Sequence, residues 1–337
     1  MASNSQILSA VWPIIEPKWG DRIPEASKAN WQKIGVLISD EKYAPLRNEI
    51  YDALVNLIGK TKVWQMSITN PLSRFKSGSM SYGDTYQEIM SDIIEGQTFA
   101  IAEDDQFKKW PSSVYAAYHK INREQFYPVT IEETKINRAF RAEGGLQSLV
   151  NSIVNQMYSS NNLDEFIFTK QLMNDYYTNT EIPLKATQKI EVPEVVDTDT
   201  GNSFVLTSKD VLSAMRFPNR NYNPMGIMMQ TEASRFLIIM RANLNNRIRV
   251  ETLTGAFNKE FVELTIPILT VDEFGEGMKD VQAIICDSQW LRIFDTLRRL
   301  KVAENARNLY RSYYYHVHQL YAASPFVNCV FLVKAGA

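Results

Sequence analysis

The chain has 337 residues, of which 45% are hydrophobic and 22% are charged. These values are ordinary for a globular protein and exclude wholesale disorder, while the length predicts two packed subdomains or one elongated α+β body. Lys and Arg number 36 and Asp and Glu number 38, so the formal charge of -2 excludes a long-range attraction to nucleic acid or to an anionic membrane.

Residues 1–40 mix tryptophan with proline. Because proline interrupts regular backbone hydrogen bonding, we expect an irregular arm or lid here. No basic stretch followed by an apolar core stands at the start, and no window reaches the length of a membrane span. We therefore expect the protein to stay in a cytosol-like compartment unless something else carries it out. The residues that break the pattern are Trp12, Trp19, Trp31, Pro13, Pro17 and Pro24.

A helix and then a strand are predicted after this arm. Pro45 suits the first turn of a helix, and an apolar stripe from Leu46 to Leu57 predicts that the helix continues until Gly59. Alternating apolar residues predict a strand over residues 61–69.

Between Pro71 and Tyr127, glycine and proline interrupt short runs in which aromatic residues keep recurring. Such a segment cannot close a core alone, because its rings need apolar surface that the segment does not supply. We therefore predict that its aromatic residues make contacts between subunits. The candidates are Phe75, Tyr82, Phe99, Phe107, Trp110 and Tyr115.

Residues 129–177 hold the strongest helical pattern. Apolar residues recur there at i, i+3, i+4 and i+7, which is the spacing of one helix face. A second helix is predicted from Asn162, whose side chain can cap free amides with Glu165 three residues later, so we expect a turn at residues 159–161. The predicted core face of this spine helix comprises Leu146, Leu149, Val150, Ile153, Val154 and Met157.

The next part of the chain alternates strand and helix patterns. Residues 181–201 carry proline and several charges and are predicted to form an irregular crossing into another subdomain. Apolar strand cores follow at 236–240, 266–271 and 281–286, with a helix from about Asn243 between the first two. This alternation predicts a compact α/β subdomain.

The last part of the chain is again strand-like. Residues 290–297 and 310–320 can pair across the polar connection at 301–308. A final strand is predicted at 326–333. We expect this strand to return to the body that holds the long helices.

The histidines offer the strongest candidate for a metal site. His316 and His318 are two residues apart, so in a strand they share one face and could hold zinc if a third ligand arrived. We favour an aromatic strand with flat, polar-tipped imidazoles, because Cys286 and Cys329 are not spaced as partners for them. Both cysteines stand in apolar runs and are predicted to be reduced core residues.

Other motifs fall short of a catalytic site. A triad of Asp287, Ser288 and a histidine lacks the context of a nucleophile elbow. Asp197, Asp199 and Gly201 have the spacing of a calcium loop but lack its essential glycine and glutamate, so a turn is predicted. Neither a dinucleotide fingerprint nor a phosphate-binding loop is present in the sequence. We therefore predict no catalytic residue, no cofactor and no metal.

A basic region near the end of the chain is interleaved with aromatic residues. A nucleic-acid groove would use such residues, with charge for phosphates and rings for bases. A solvated strand face or a set of salt bridges between subunits would show the same pattern, and the overall charge favours these. The residues are Arg292, Arg298, Arg299, Lys301, Arg307 and Arg311, with Trp290, Phe294 and Tyr310.

Short motifs also follow one another in order between about residues 60 and 333. They include Pro71-Leu72, Phe75-Lys76, Tyr82-Gly83, Glu88-Ile89, Thr130-Ile131, Ala139-Phe140, Gly145-Leu146, Leu149-Val150, Asp164-Glu165-Phe166, Gly255-Ala256-Phe257-Asn258, Val271-Asp272, Phe274-Gly275, Cys286-Asp287, His316-Val317 and Ser324-Pro325-Phe326. No single motif is diagnostic. The ordered series resembles the major capsid proteins of short-tailed double-stranded-DNA phages that infect Gram-positive bacteria.

That resemblance implies the α+β fold of tailed-phage major capsid proteins. It divides the chain into an N-terminal region and arm (1–95), an extended loop (96–128), a peripheral domain with spine helices (129–182), an axial domain (183–288), peripheral strands (289–323) and a C-terminal strand (324–337). The extended loop is expected to overlap a neighbouring subunit.

The resemblance also implies a structural function. Subunits would assemble in the host cytoplasm into hexamers and pentamers of an icosahedral virion shell around double-stranded DNA, with portal, scaffolding or decoration proteins as partners. A cargo-enclosing nanocompartment shell of the same fold is the nearest alternative. An enzyme with an undetected site and a basic-patch nucleic-acid-binding protein are alternatives from other classes.

Overall fold

The computed structural model describes residues 4–27, 29–38, 40–60, 68–96, 109–132, 134–135, 145–248, 266–305 and 310–336. The chain divides into two compact units. The first unit comprises Met1–Asn70, Glu124–Glu165 and Leu297–His318, and the second comprises Pro71–Arg123, Phe166–Thr296 and Gln319–Ala337. None of the helices in the described ranges is long and apolar enough to cross a membrane.

Three helices open the first unit: α1 (Asn4–Trp19), α2 (Trp31–Ile38) and α3 (Ala44–Lys60). The expectation of an irregular arm in residues 1–40 is therefore wrong. Leu8, Val11, Ile15 and Trp19 recur every three or four residues and are all buried, so α1 presents one apolar face to the core. Both prolines of α1 lie on its exposed side, where packing of the opposite face outweighs the lost backbone hydrogen bonds.

Helix α3 confirms the helix predicted from Pro45, and it extends one residue beyond Gly59. Its buried residues Leu46 and Ile50 join the same core cluster as the α1 face. The indole Nε1 of Trp19 donates a 2.7 Å hydrogen bond to Glu49, which links α1 to α3. The strand predicted over residues 61–69 falls mainly on residues 61–67, outside the described ranges.

The predicted spine is one continuous helix, α4 (Gly145–Tyr177), and the predicted turn at residues 159–161 is wrong. Asn161 and Glu165 are both buried, and the Asn161 amide donates a 2.9 Å hydrogen bond to the Glu165 carboxylate one turn later. Glu165 thus pairs with Asn161 four residues earlier, and the predicted cap Asn162 instead donates a 2.9 Å hydrogen bond to the Ile68 carbonyl, so the helix continues.

The predicted core face of α4 is described at three of its six positions. Ile153 and Met157 are buried in the core cluster of the first unit, and Leu149 is half-buried against it. The side chains at positions 146, 150 and 154 lie outside what the structure describes.

The second unit is built on a five-stranded sheet with the order β5-β11-β8-β6-β7. Strand β8 is antiparallel to β6 and β11, whereas β6 is parallel to β7 and β11 is parallel to β5. The strands are β5 (Lys189–Val192), β6 (Phe236–Arg241), β7 (Ile268–Val271), β8 (Val281–Asp287) and β11 (Cys329–Lys334).

This sheet confirms the strands of the predicted α/β subdomain. The final strand β11 pairs with β5 and β8, and its Phe331 ring lies 6.3 Å from the Tyr176 ring at the end of the long helix α4. The irregular crossing predicted over residues 181–201 is wrong in two places, because residues 189–192 form β5 and Asp197 caps helix α5 (Thr198–Met215) by accepting a 2.8 Å hydrogen bond from the Thr200 amide. The predicted helix near Asn243 is α6 (Ala242–Arg247).

A four-stranded sheet has the order β1-β9-β10-β4, and a separate hairpin is formed by β2 and β3. Because β9 and β10 are neighbours, the predicted pairing of these two strands is confirmed, but residues 301–305 belong to β9, so the polar connection predicted at 301–308 is wrong over those residues. The strands are β1 (Lys76–Ser79), β2 (Tyr86–Ser91), β3 (Val114–His119), β4 (Arg123–Glu132), β9 (Leu291–Asn305) and β10 (Tyr310–Ala323).

Replacing Ile153 by alanine tests the buried face of α4. The residue is 3% exposed, so the change removes packed atoms and should destabilise the chain by about 2–5 kcal/mol. Leu163 lies on the same helix in the same unit and is 43% exposed, so Leu163→Ala should change stability by about 0.5 kcal/mol or less. Urea unfolding of the unassembled chain measures both variants, and equal losses would contradict the assignment of faces.

Candidate assembly surface

The β2–β3 hairpin carries an exposed apolar face. The two strands pair in strict antiparallel register from Tyr86 opposite His119 to Ser91 opposite Val114. Since side chains alternate between faces, Gln87, Ile89 and Ser91 share one face with Val114, Ala116 and Tyr118. Ile89, Val114 and Tyr118 are 64%, 58% and 64% exposed. This face, which we call the hairpin outer face, offers apolar area to another molecule.

The opposite face of the hairpin packs on its own unit. The ring of Tyr86 lies 4.8 Å from that of Phe294 and 5.9 Å from that of His119, measured between centroids. Arg292 places its guanidinium 5.9 Å from the Tyr86 ring, a cation–π contact. Burial lowers the pKa of His119, so this imidazole on the inward face of the hairpin is neutral at neutral pH.

An ion pair anchors the hairpin at its base. Asp92 follows β2 and extends the ladder, since its amide donates a 3.0 Å hydrogen bond to the Ser113 carbonyl. Its carboxylate accepts a hydrogen bond from Arg220 and a 3.3 Å hydrogen bond from the Met228 amide. The bond from Arg220 and those from backbone amides lower the pKa of Asp92, so the pair is charged at neutral pH.

The loop that supplies Arg220 is itself held in place. Arg220 also donates a 3.0 Å hydrogen bond to the Gly226 carbonyl, and Lys185 donates one of 2.7 Å to the carbonyl of Arg220. Gly226 has a φ of +68°, and a Cβ built there would lie 2.6 Å from the Lys185 ammonium nitrogen. Glycine therefore suits both the backbone conformation and the close approach.

The structure separates the six predicted contact residues into three groups. Tyr82 and Trp110 are 62% and 51% exposed, and Tyr115 is half-buried on the inward face of the hairpin. Phe75 is buried with 2% exposure in the cluster that contains Leu72, so it stabilises its own chain and has no area for a neighbour. The candidates at positions 99 and 107 lie outside the described residues.

The sequence pattern did not identify two residues of the hairpin outer face as candidates for contacts between subunits. Ile89 and Val114 belong to short runs in which exposed and half-buried positions alternate. This period of two is a strand signal that the flanking glycines and prolines obscured. Unlike the aromatic residues, these aliphatic ones carry no distinctive signature in the sequence.

The candidate catalytic and metal-binding side chains make structural contacts with other residues. His316 lies 5.8 Å from the Phe126 ring, and His318 faces Glu124 at 3.3 Å. The Asp287 carboxylate pairs with Arg235 at 2.6 Å instead of with a histidine. Among the described residues, no group of three or more His, Cys, Asp or Glu side chains could hold a metal ion.

Two residues of the basic region form salt bridges within the chain, while Arg299 and Lys301 are exposed. Arg298 pairs with the buried Glu165 at 3.3 Å, and Arg311 pairs with Asp52 at 2.6 Å and with Glu304 at 2.9 Å. The rings of Trp290 and Phe294 are buried, so they cannot stack on bases. Arg307 lies outside the described residues.

Replacing Arg220 by alanine tests the anchor. The change leaves Asp92 with amide donors alone, so hydrogen exchange in residues 86–91 and 114–119 should accelerate. Lys334→Ala removes a 2.6 Å pair with Glu194 elsewhere in the same unit and should leave the hairpin unchanged. Equal hairpin protection in the wild type and the Arg220 variant would contradict the anchor.

The anchor also has a predictable pH dependence. The carboxyl pKa of Asp92 is lowered in the folded chain, so its contribution is complete above the ordinary value of about 4 and is lost as pH falls through the lowered value. Hairpin protection, corrected for the intrinsic pH dependence of exchange, should therefore fall only in acid. Because burial also lowers the pKa of His119 from its ordinary value of about 6.5, a wild-type loss of protection between pH 7 and pH 8 is the outcome that would contradict the anchor.

Comparison with known proteins places these features in a family. The sequence profile of the Phi29-like phage major capsid protein family matches residues 8–333. The major capsid protein of Bacillus phage B103 is 30% identical, over 99% of this chain and 73% of that protein. The major capsid protein of Streptococcus phage Cp-1 is 28% identical, over 98% of this chain and 94% of that protein.

Solved structures show the same fold at low sequence identity. A chain of the capsid structure of Staphylococcus phage Andhra superposes with a TM-score of 0.65 at 12% identity, covering 82% of this chain and 87% of that one. A chain of the capsid structure of cyanophage P-SCSP1u gives 0.54 at 11% identity, covering 83% and 92%. The predicted α+β fold of tailed-phage capsid proteins is thereby confirmed. The chain belongs to the Phi29-like phage major capsid protein family and is a structural component of the phage head.

Proposed function

We propose that this subunit builds an icosahedral head from hexamers and pentamers, and that it uses the hairpin outer face to contact the next subunit. The head would enclose double-stranded DNA, with portal, scaffolding or decoration proteins as further partners. The observation that carries the proposal is an exposed apolar surface, Ile89, Val114 and Tyr118, on a hairpin anchored at its base. A shell protein needs a surface of this kind, whereas a monomer gains nothing from exposing it.

The anchored base supports a role in assembly. An isolated two-stranded hairpin is marginally stable, so its outer face would be poorly ordered without the contacts of Asp92 and Tyr86. Because those contacts order the face before a neighbour arrives, less conformational entropy is lost on association. Repeated over many subunits, modest contacts of compatible geometry then sum to a closed shell.

The same proposal assigns no catalytic activity to the subunit. The candidate catalytic and metal-ligating side chains have structural partners, as shown for His318 with Glu124 and Asp287 with Arg235. The formal charge of -2 gives the chain no bulk attraction for phosphates. We therefore propose that the shell encloses DNA. A nucleic-acid-binding protein with a basic patch would instead bind DNA through that patch.

Electron microscopy of the chain expressed alone tests the proposal directly. Closed shells of uniform size support self-assembly, and particles that form only with scaffolding protein support the proposed partner. Dispersed monomers under both conditions would overturn the assembly role. Nucleic acid content of particles purified from infected cells separates a DNA-filled head from a nanocompartment that holds protein cargo.

The double change Ile89→Ser with Tyr118→Ser tests the hairpin outer face. Both side chains are exposed in the subunit, so its stability should change by about 1 kcal/mol or less, while shell yield should fall at least tenfold. Ser91→Ala alters the same face without removing apolar area and serves as the control. Normal shells from the double variant, or a large loss of subunit stability, would contradict the proposal.

The double change His316→Gln with His318→Gln tests the absence of a metal site. Glutamine keeps a polar tip at each half-buried position, so shell yield should stay near that of the wild type. Tyr315→Ala in the same strand is the contrasting variant, because it removes a buried ring that packs 5.0 Å from Tyr158. Stoichiometric zinc in purified particles, lost in the double variant together with shell stability, would show a structural metal site.

A further inference from the structure

The two cysteines of the chain stand directly opposite each other in the five-stranded sheet. Cys286 of β8 is the register partner of Cys329 of β11, and these strands are antiparallel. The Asp287 amide donates a 3.1 Å hydrogen bond to the Asn328 carbonyl at the neighbouring pair. In an antiparallel ladder, hydrogen-bonded pairs alternate with non-hydrogen-bonded ones, so Cys286 and Cys329 occupy a non-hydrogen-bonded pair.

This position suits a disulfide. The Cα atoms of a non-hydrogen-bonded pair are about 4.5 Å apart, which lies at the short end of the range for disulfides, about 4.4–6.8 Å. Register partners point to the same face of a sheet, and both cysteines belong to one core cluster with Trp290 and Phe331. Each thiol is free and fully buried in this structure.

Neither thiol has another partner within the chain. The sequence contains two cysteines in all, so oxidation inside one subunit leads to a single possible bond. Burial raises the pKa of both thiols well above the ordinary value, and the Cys286 thiol raises that of Cys329 further. Reaction in the reduced state is consequently slow and depends on local opening of the sheet.

We propose that Cys286 and Cys329 are an oxidative modification site that closes into a cross-strand disulfide within the subunit. The reducing cytosol of the host keeps both thiols free while the subunit folds and assembles. A peroxide met outside the cell then supplies the oxidising equivalents. The bond clamps the C-terminal strand β11 to the central strand β8.

The chemistry balances with hydrogen peroxide as the oxidant. One thiol displaces hydroxide from the peroxide oxygen, which gives a sulfenic acid and one water. The second thiol attacks that sulfur, forms the S–S bond and releases a second water. Two thiols lose two electrons and two protons in total, and one peroxide is reduced to two waters.

Closure should stabilise the fold. The bond joins residues 286 and 329 and therefore closes a loop of about 40 residues, which restricts the unfolded chain. A gain of this kind raises the melting temperature by roughly 3–6 °C in a chain of this size. The inference does not depend on the proposed contacts between subunits, so either can fail alone.

Intact mass spectrometry of the full chain tests the proposal. The chain is exposed to millimolar hydrogen peroxide, freed of peroxide, unfolded in guanidinium at neutral pH and alkylated with N-ethylmaleimide, with and without prior reduction. We expect both alkylation sites to be lost unless the sample is first reduced, and a linked peptide pair that contains residues 286 and 329 and has two hydrogens fewer than the separate peptides. Oxidation among the 12 methionines of the same sample shows that the peroxide dose was effective.

Melting before and after oxidation completes the test. The wild type should gain roughly 3–6 °C, whereas Cys286→Ala and Cys329→Ala should gain nothing. Both thiols still alkylated despite methionine oxidation, sulfinic acids without a linked pair, or a bond between two chains would each overturn the proposal. If the single variants fail to fold, the linked peptide pair in the wild type decides the outcome.

Discussion

The subunit depends on burial of apolar side chains on both faces of its five-stranded sheet. Ile238 and Ile285 belong to one core cluster, while Leu237 and Ile284, their neighbours along the strands, belong to another. Helix α5 contributes residues to the first cluster and the end of α4 contributes residues to the second. Sheets with parallel pairs are stable when both faces are covered. Here helix α5 and the end of α4, both from the same chain, cover the two faces. Other elements are therefore free to expose apolar area.

A fully buried arginine of the second unit is paired through a hydrogen-bond network. Arg123 is 1% exposed, donates hydrogen bonds to Gln319 and Tyr321, and lies 5.0 Å from the Phe168 ring. Gln319 in turn donates a 2.6 Å bond to Asp295, so the network includes a negative charge. An unpaired guanidinium would cost several kcal/mol at this depth. These bonds join β4, β9 and β10, and they act as a constraint on the register of those strands.

The sequence predicted what depends on local spacing and missed what depends on distant partners. Ile153 and Met157 were expected on the core face of α4 because helical periodicity is visible in any window of the chain. Asn161 was expected in a turn because Asn162, with Glu165 three residues later, resembles the start of a new helix, whereas in the structure Asn161 pairs with Glu165 inside one continuous helix. The anchor of the hairpin could not be predicted from the sequence, because it joins Asp92 to Arg220 across 128 residues. Long-range contacts of that kind leave no periodic signature.

A shell subunit must expose apolar surface without associating too early or in the wrong geometry. The formal charge of -2 provides little repulsion between copies, so selectivity has to come from the shape and position of the exposed surface. Ile89 and Tyr118 lie on a hairpin whose inward face is packed and whose base is held by Asp92. The anchor therefore determines where the apolar face points, and a partner must match that geometry to bury it. In the proposed assembly, a small exposed apolar surface is held in a fixed position on a subunit whose own core is already packed. This arrangement allows the free subunit to be stable and the shell to assemble efficiently.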